Sequence, residues 1–406
     1  MPSDISPDQA FAALAQRIAP VAGESIPLSL AAGRILAAPI VADRDSPAAD
    51  VSAMDGYAVR LTDLQHGQVL HVCGQSVPGH APAIATSSES QDATVVRVFT
   101  GGIVPGRFDL VIKREETRES NDQIEVLHPP GRYRAGENIR RQGENAKAGS
   151  IILSSGTMLH AGAIAAAANF GAFRVAVARK LRVAILVTGD ELRAIDDEVQ
   201  PWQLRDSNGP TLHAMLSGCP WLDVASVDRI VDNRESLVDR LRSTIEQSDA
   251  VLLTGGVSMG DYDFVPDAIT QCNAEILFHK LPIRPGKPIL GAISPDGKPI
   301  VGLPGNPVSA AVGCRRFVMP LLGKQAGLTT TDRTPPRVML EDAGDRTLPL
   351  HWFRLVTIDD AGKARLVPSQ GSGDLVSLAT SDGFIEQPPN SLGAGPWAFW
   401  NWNTNG

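Results

Sequence analysis

Residues 182–189, RVAILVTG, form a continuous apolar run that ends in glycine, which is the pattern of a β-strand buried on both faces. DAVLLTGG at 249–256 and PIVGLPG at 299–305 repeat the pattern, and VASVDRIV at 224–231 is a further strand candidate. Strands of this kind occur in parallel sheets that are covered by helices on both sides.

Helical segments lie between these strands. SNGPTLHAMLSG at 207–218 has a cap, a proline in its first turn and a terminal glycine, and RESLVDRLRSTIEQ at 234–247 has helical spacing of leucine and valine. Strands that alternate with helices through short links predict a parallel sheet within an α/β domain over residues 179–327. Functional groups in such a domain gather where the strands end.

The flanking segments have a different pattern. Short alternating runs between 61 and 130 predict a small antiparallel β domain, and similar runs after 328 predict a second one. Ser6, Pro7 and Gln9 predict a capped helix near the N-terminus. The predicted fold class is therefore multidomain α/β plus β, with domains at these positions: 1–50 and 140–178 (helical or linker), 51–139 (inserted small β), 179–327 (α/β) and 328–406 (C-terminal β, barrel-like).

Composition excludes several classes of protein. Of 406 residues, 37 are Lys or Arg and 45 are Asp or Glu, so the net charge of −8 argues against a general nucleic-acid or anionic-membrane binder. The four cysteines stand far apart, which argues against a disulfide framework or a structural zinc site. The first residues lack the basic and then apolar blocks of a secretory signal, and no run is long enough to span a membrane. We therefore expect a cytoplasmic protein.

Three strand-to-loop junctions carry unusual side chains. Asp190 and Glu191 follow the first strand, the loop TGGVSMGDYD follows the third strand candidate at 254–263, and GLPGNPVS occupies 302–309. Glycine-rich turns let backbone N–H groups approach an oxyanion, and the acids are suited to a divalent cation. Any one such junction has an ordinary structural explanation as a turn or a cap, but three at strand ends in one sheet favour a site. The candidate residues in the second and third loops are Gly255, Gly256, Ser258, Asp263, Pro304, Asn306, Pro307 and Ser309.

A basic segment, HKLPIRPGKP, lies at 279–288. Its cations, Lys280, Arg284 and Lys287, are separated by prolines and a glycine, which prevent a regular solvated helix. Rigid cations near carboxylates suit a doubly charged oxyanion and a phosphate, with Mg²⁺ between phosphate and acids. The segment is not a P-loop, because Leu281 stands where that motif needs glycine.

Two further segments are ambiguous on composition alone. Asp55 lies in SAMDGYAV at 52–59, where Asp-Gly is by default a turn, and Arg140 lies in the charged stretch 131–149, which also reads as a solvated loop. The sequence has no HExxH motif and none of its cysteines sits in a recognisable nucleophile setting, so zinc-protease or cysteine-nucleophile chemistry is not favoured.

Taken together, the motifs resemble the molybdopterin molybdenumtransferases, the MoeA-type proteins related to the E domain of gephyrin. SAMDGYAV at 52–59, VTGDEL at 187–192, TGGVSMGDYDF at 254–264, IRPGKP at 283–288 and GLPGNPVSA at 302–310 carry the resemblance. TGGIVPGRFD and GENIRRQGE extend it over nearly the whole chain. The resemblance implies a central α/β domain of molybdopterin-binding type and an elongated homodimer of four-domain subunits.

The resemblance also implies a reaction. Such enzymes take adenylylated molybdopterin and molybdate as substrates, hydrolyse the adenylate in a Mg²⁺-dependent step and leave molybdenum on the dithiolene. It implies a cleft between the sheet domain of one chain and the first β domain of the other. Asp55, Glu191, Asp232 and Asp263 would be the acids around metal and adenylate, the last three of them as metal ligands. Lys280, Arg284, Lys287 and Ser309 would face molybdate or phosphate, and Thr100, Arg140 and Ser372 fall at positions of family cleft residues.

The sequence departs from the family at two positions. Asn145 stands where an acid is common, and Arg284 stands where lysine is usual, which replaces a compact ammonium with a planar fork. These departures leave open a catalytically altered paralogue or molybdopterin-binding scaffold of the same fold. A second alternative is a molybdopterin adenylyltransferase, because the sheet domain alone would also suit one, although the flanking β domains and the SAMDGYA motif argue against it. A molybdopterin adenylyltransferase is also a candidate partner.

Overall fold

A computed structural model describes residues 5–65, 67–84, 94–231, 233–258, 263–329, 335–342 and 344–402 of the chain. The chain divides into two compact units. One unit comprises residues 1–38, 154–165 and 173–406, and the other comprises residues 39–153 and 166–172. We call them the sheet unit and the inserted unit. The boundaries of the four predicted domains stay predictions.

The described helices are mostly short. In chain order they are α1 (Pro7–Ala15), α2 (Ala161–Asn169), α3 (Asn208–Ser217), α4 (Arg234–Gln247), α5 (Val265–Gln271), α6 (Pro307–Gly313), α7 (Met319–Gln325) and α8 (Leu375–Ala379). Residues Cys314–Val318 form a π-helical turn that joins α6 to α7. Helix α1 begins as predicted, because Ser6 Oγ accepts a hydrogen bond from Gln9 N and Gln9 Oε1 accepts one from Ser6 N. No helix of the described residues is long and apolar enough to cross a membrane.

The strands of the described residues are numbered in chain order. They are β1 (Gly23–Pro27), β2 (Ile40–Val41), β3 (Val51–Ser52), β4 (Gly56–Val59), β5 (Val69–Ser76), β6 (Ala83–Ile84), β7 (Thr94–Val98), β8 (Leu110–Lys113), β9 (Thr117–Ser120), β10 (Gln123–Val126), β11 (Ile139–Arg140), β12 (Ile151–Leu153), β13 (Arg174–Ala178), β14 (Leu181–Thr188), β15 (Leu192–Arg193), β16 (Leu204–Arg205), β17 (Leu222–Ile230), β18 (Ala250–Thr254), β19 (Glu275–His279), β20 (Ile283–Arg284), β21 (Leu290–Ile293), β22 (Pro299–Leu303), β23 (Arg337–Val338), β24 (His351–Ile358), β25 (Ala364–Leu366), β26 (Gly383–Gln387) and β27 (Trp397–Asn401).

The inserted unit is built on a sheet with the order β8-β4-β7-β5-β10-β9, and β6 pairs with β5. Its pairs are antiparallel except for β5 and β7, which are parallel. The prediction of an antiparallel β domain is therefore wrong at this pair. Strand β4 is buried along its whole length because Tyr57 and Val59 pack on one face and Ala58 on the other.

The sheet unit contains the predicted α/β core. Its main sheet has the order β17-β14-β18-β22-β21-β19. The first four strands are parallel, as the sequence predicted, and β21 and β19 add two antiparallel strands that it did not predict. Strands β18 and β22 are buried at every position. This burial explains why their sequences are continuously apolar.

Two layers of apolar side chains cover this sheet. Leu212 of α3 and Val312 of α6 pack with Ile185 and Val301 on one face. Residues of α4 and α5, including Leu241, pack with side chains of the opposite face of the sheet. Helices on both faces leave the edge at the carboxyl ends of the parallel strands as the accessible part of the sheet.

A second sheet of the sheet unit follows the order β20-β24-β26-β27-β23, with β25 on β24. A hairpin joins β24 and β25, and Gly362 N donates to the carbonyl of Asp359 at its turn. Strand β20 lies within the basic segment and pairs in parallel with β24, so Arg284 is opposite Trp352. This pairing brings the basic segment to the C-terminal sheet.

Candidate active site

A hollow of about 1140 Å³ lies where β14, β18 and β22 end. We call it the strand-end hollow. Predicted residues from all three junctions line it: Glu191, Gly255, Gly256, Ser258, Asp263, Pro304, Asn306 and Pro307. The parallel strands explain this convergence, because their carboxyl ends meet at one edge of the sheet.

Glycine is required at the end of β18. Gly255 has a φ of +90°, and a Cβ atom there would lie 2.3 Å from the carbonyl oxygen of Thr188. Gly256 has a φ of +60°, and a Cβ atom there would lie 3.1 Å from Thr188 Oγ1. The loop after β18 therefore packs its backbone directly against the end of β14, which only glycine permits.

The predicted acids of the strand-end hollow come from two loops, and Asp206, which precedes α3 and accepts a hydrogen bond from Gly209 N, also lines it. Glu191 is exposed and Asp263 is half-buried. Asp190 is exposed beside them in sequence, and its carbonyl accepts a hydrogen bond from Arg193. Among the described residues, no three His, Cys, Asp or Glu side chains form a group able to hold a metal ion. Asp232 and residues 259–262 lie outside the described residues.

A second hollow of about 740 Å³ shares Pro288, Pro304 and Asn306 with the first. We call it the cationic hollow. Four cationic side chains line it, and none of its described lining residues is an aspartate or a glutamate. The four are Arg284, Lys287, Arg346 and Arg354. Such a lining favours an anion strongly, because a bound anion relieves the repulsion between these charges.

The predicted residues Ser309 and Ser372 also line the cationic hollow. Ser309 is buried on α6. Ser372 Oγ accepts a hydrogen bond of 2.9 Å from Asn306 Nδ2, and its carbonyl accepts one from Val308 N. These contacts fix the loop before α8 beside the start of α6.

Lys280 is half-buried and is not among the residues that line either hollow. It has a φ of +71° directly after β19, and its N–H donates to the carbonyl of Ile289. The structure therefore does not bring Lys280 to the wall of a hollow with Arg284 and Lys287.

Sequence reasoning missed Arg346 and Arg354. Arg354 lies on β24, where its guanidinium carbon is 4.4 Å from the ring centroid of Trp352 and Nη1 donates to Gln387 Oε1. Burial lowers the pKa of Arg354, and the charge of Arg346 lowers it further. No local motif marks these residues, and Arg354 reaches the hollow through the pairing of β20 with β24.

The other predicted residues that the structure describes lie in the inserted unit. Asp55 is exposed at the turn before β4, and its Oδ1 accepts two hydrogen bonds of 2.8 Å from the N–H and the hydroxyl of Thr100. These bonds lower the pKa of Asp55, and the charges of Arg114 and Arg97 contribute in the same direction. Asp55 and Thr100, two of the predicted residues, therefore lie next to each other in the inserted unit.

Arg140 lies on β11 and is exposed. Its Nε donates to Glu144 Oε1 at 2.6 Å and its Nη2 donates to Asn145 Oδ1 at 3.0 Å. Asn145 therefore keeps an acceptor for Arg140 although it lacks the charge of an acid.

Comparison with known proteins adds to this geometry. Residues 5–171 match the family model described as "MoeA N-terminal region (domain I and II)", and residues 184–324 match "Probable molybdopterin binding domain". The molybdopterin molybdenumtransferase of Staphylococcus epidermidis is 32% identical over 396 residues, which cover 96% of this chain and 93% of the relative. The chain belongs to the molybdopterin molybdenumtransferase family.

Other members of the molybdopterin molybdenumtransferase family agree. The enzyme of that name from Nostoc sp. is 36% identical over 378 residues, 90% of this chain and 85% of the relative. The crystal structure of the molybdopterin biosynthesis moeA protein from Pyrococcus horikoshii OT3 superposes with a TM-score of 0.79 at 26% identity, covering 98% of each chain. The predicted family, the multidomain α/β plus β fold and the prediction of an enzyme of molybdenum cofactor biosynthesis are confirmed.

Proposed function

We propose that the chain inserts molybdate into adenylylated molybdopterin, with Mg²⁺-dependent release of AMP. One observation carries the proposal: a hollow lined by four cations and no described acid shares a wall with a hollow lined by carboxylates. An oxyanion and a phosphate-bearing substrate each have a suitable environment there, side by side.

Molybdate is assigned to the cationic hollow. It is a tetrahedral dianion, so fixed cations and hydroxyl donors bind it, and geometry rather than charge alone selects it. Arg284, Lys287 and Ser309 supply such groups, and Arg354 adds a half-buried guanidinium. Lys280 lines neither hollow and stays a predicted ligand of the phosphate of the substrate.

The adenylate is assigned to the strand-end hollow. Backbone N–H groups of the loop after β18 can approach a phosphate closely because Gly255 and Gly256 have no side chains. Ser258, Asn306 and Pro307 border the same space. Ser372, Pro304 and Asp190 complete the proposed binding residues of the sheet unit.

The donor set of the strand-end hollow fits Mg²⁺. Mg²⁺ is a hard cation that proteins hold through one or two carboxylates together with substrate phosphates, so Glu191 and Asp263 suffice without a third acid. Asp232 stays a predicted third ligand. A bound Mg²⁺ offsets the charge that develops on phosphate oxygens when a pyrophosphate bond breaks. Glu191 or Asp263 would orient the water that attacks the phosphorus atom.

The inserted unit supplies Asp55, Thr100 and Arg140 in this proposal. Asp55 is the strongest of the three, because two donors orient its carboxylate and lower its pKa. An ionised carboxylate is suited to bind a metal-bound water or a substrate donor. Asp55 is therefore proposed as a catalytic residue.

The decisive experiment is a reconstitution with purified protein, adenylylated molybdopterin, molybdate and Mg²⁺. We expect release of AMP together with formation of active molybdenum cofactor, and loss of both when Mg²⁺ is chelated. Asp55→Ala and Glu191→Ala should each lower the rate at least about a hundredfold without unfolding the chain. AMP release that is independent of molybdate and of both residues would contradict the proposal.

The same experiment separates the alternatives. Tight binding of molybdopterin without AMP release would favour a scaffold or an altered paralogue. Transfer of adenylate from ATP to molybdopterin would favour an adenylyltransferase. If a molybdopterin adenylyltransferase is a partner, adding it to the reaction should increase the rate of AMP release.

We also propose a homodimer whose cleft draws on both chains. Asp55→Ala and Glu191→Ala chains, each inactive alone, should then regain part of the wild-type activity when they are mixed after mild dissociation. A monomeric mass in solution, or no recovery on mixing, would contradict this proposal.

A further inference from the structure

Asn208 connects two loops of the strand-end hollow. It is the first residue of α3 and is 7% exposed. Its Nδ2 donates to Thr254 Oγ1 at the end of β18 and to the carbonyl of Gly305 after β22, each at 2.8 Å. A single buried amide thus contacts both glycine-containing loops.

Thr254 extends the connection. It is 1% exposed, and its hydroxyl donates to the carbonyl of Pro304 at 3.1 Å while it accepts from Asn208. Gly255 N donates to the carbonyl of Leu303 at 3.2 Å, which links the same two loops through the backbone. Asn208 Oδ1 has no hydrogen-bond partner among the described residues, so the two donor bonds alone orient the amide.

We propose that Asn208 is a positioning residue for the reaction, because its amide sets the separation of the loops after β18 and β22. The inference rests on the proposed function, which places the two substrates on opposite sides of the wall formed by Pro304 and Asn306. A shift in that wall changes the distance between the reactants. Orientation of this kind contributes mainly to kcat, and a displacement of about 1 Å lowers rates by about a hundredfold.

The test uses the full chain with Asn208→Leu and the pair Thr254→Val and Thr254→Ser. Asn208→Leu and Thr254→Val remove the side-chain hydrogen bonds at similar volume, whereas Thr254→Ser keeps the hydroxyl. Thr244→Val is the matched control, since Thr244 is also buried, at 5% exposure, and its hydroxyl bonds only the carbonyl of Arg240 within α4.

We expect Asn208→Leu and Thr254→Val each to lower kcat by about ten- to a hundredfold. The KM for molybdate should change by less than about threefold, because the lining of the cationic hollow keeps its charges. Thr254→Ser should restore most of kcat, and Thr244→Val should leave it unchanged. The double variant Asn208→Leu with Thr254→Val should lose less kcat than the two single losses multiplied together, because both changes break the bond between Asn208 and Thr254.

Backbone amide exchange provides a readout that does not depend on activity. In Asn208→Leu and Thr254→Val, the amide of Gly255 should exchange about tenfold faster or more, whereas Thr244→Val should leave its rate unchanged. If the wild-type chain is inactive, the proposed function is contradicted. The exchange rate of the Gly255 amide would then still test the role of Asn208 in holding the two loops. Unchanged exchange in Asn208→Leu, a kcat within about twofold of an active wild type, or additive losses in the double variant would each overturn it.

Discussion

At the scale of single residues, the environment of Asp55 depends on one neighbour. Thr100 supplies both hydrogen bonds to Asp55 Oδ1, one from its backbone and one from its hydroxyl. Both bonds favour the ionised form and lower the pKa of Asp55. The orientation and the lowered pKa of the proposed catalytic carboxylate therefore depend in part on a side chain that is not itself titratable.

Thr100→Val should raise the pKa of Asp55 towards its ordinary value, because the hydroxyl donor is lost while the backbone donor stays. A group with a lowered pKa keeps its charge until the pH falls through that value, so the acid limb of kcat/KM should move to higher pH. The pH profile of AMP release, together with an NMR titration of Asp55, would measure the shift. Thr62→Val is the control, because it removes a threonine hydroxyl beside Asp63 instead. An unmoved acid limb in Thr100→Val would refute the prediction.

The cationic hollow gives a second prediction at this scale. Arg354→Gln should raise the KM for molybdate by about tenfold or more, because a charge-assisted contact to an anion is worth about 1.4 kcal/mol or more. The effect should decrease at high salt. Arg365→Gln is the matched control, since Arg365 lies on the neighbouring β25, pairs with exposed Glu341 and does not line the hollow. Equal effects of the two substitutions would mean that Arg354 has no specific role.

At the scale of elements, the glycine pair after β18 determines how the strand ends meet. The loop after β18 contacts the end of β14 through backbone atoms, so the sheet edge has no room for a side chain at Gly255. The same close approach leaves the backbone of the loop open to the strand-end hollow. The packing requirement and the proposed phosphate contact thus depend on the same residue.

Gly255→Ala should destabilise the chain by about 2–4 kcal/mol, because it combines an unfavourable φ with a contact of 2.3 Å to the carbonyl oxygen of Thr188. Gly362→Ala is the control, since Gly362 also has a positive φ, +76°, in the β24–β25 turn but has no atom within 4 Å of a new Cβ. The control should lose only about 1 kcal/mol. Urea unfolding of both variants would measure the difference, and similar losses would show that the contact with Thr188 relaxes freely.

Prediction from sequence was most successful for elements defined by local patterns. The structure confirms the predicted capping box of α1 and the predicted buried strands β14, β18 and β22. Each of these elements has a sequence signature within a few consecutive residues. Strands β19 and β21 were missed as sheet members. Their antiparallel pairing depends on contacts with each other and with β22, which no local periodicity indicates.

At the scale of the whole molecule, a buried ion cluster joins distant parts of the sheet unit. Arg316, beside α7, pairs with Glu386 of β26 at 2.8 Å and with Asp8 of α1, and His351 of β24 contacts Glu386 at 3.1 Å. Burial alone would raise the pKa of Glu386, but the hydrogen bond from His351 and the charge of Arg316 outweigh it and lower the pKa. The cluster therefore contributes to stability through an ionised, buried glutamate.

Because the folded-state pKa of Glu386 is lowered, its contribution is present above the ordinary glutamate pKa of about 4.3 and is lost as the pH falls through the folded-state value. Glu386→Gln should therefore destabilise the chain by about 3–5 kcal/mol at pH 7, where Arg316 loses a buried partner, and the difference from wild type should shrink in acid. Urea unfolding at several pH values between about 3 and 7 would measure the difference in unfolding free energy between Glu386→Gln and wild type. Glu341→Gln, which changes an exposed ion pair, should behave as wild type at each pH. A constant difference across this range would contradict the prediction.

The amino-acid sequence alone determined the α/β core, the strand-end loops and the family, because apolar runs, caps and glycine motifs act over short stretches of chain. Only the tertiary structure decided that Arg346 and Arg354 join Arg284 and Lys287 around one hollow, and that Asn208 joins two loops. The reason is physical: these contacts depend on strand register and on packing between segments far apart in the chain. A pattern of neighbouring residues indicates neither the strand register nor the packing between distant segments.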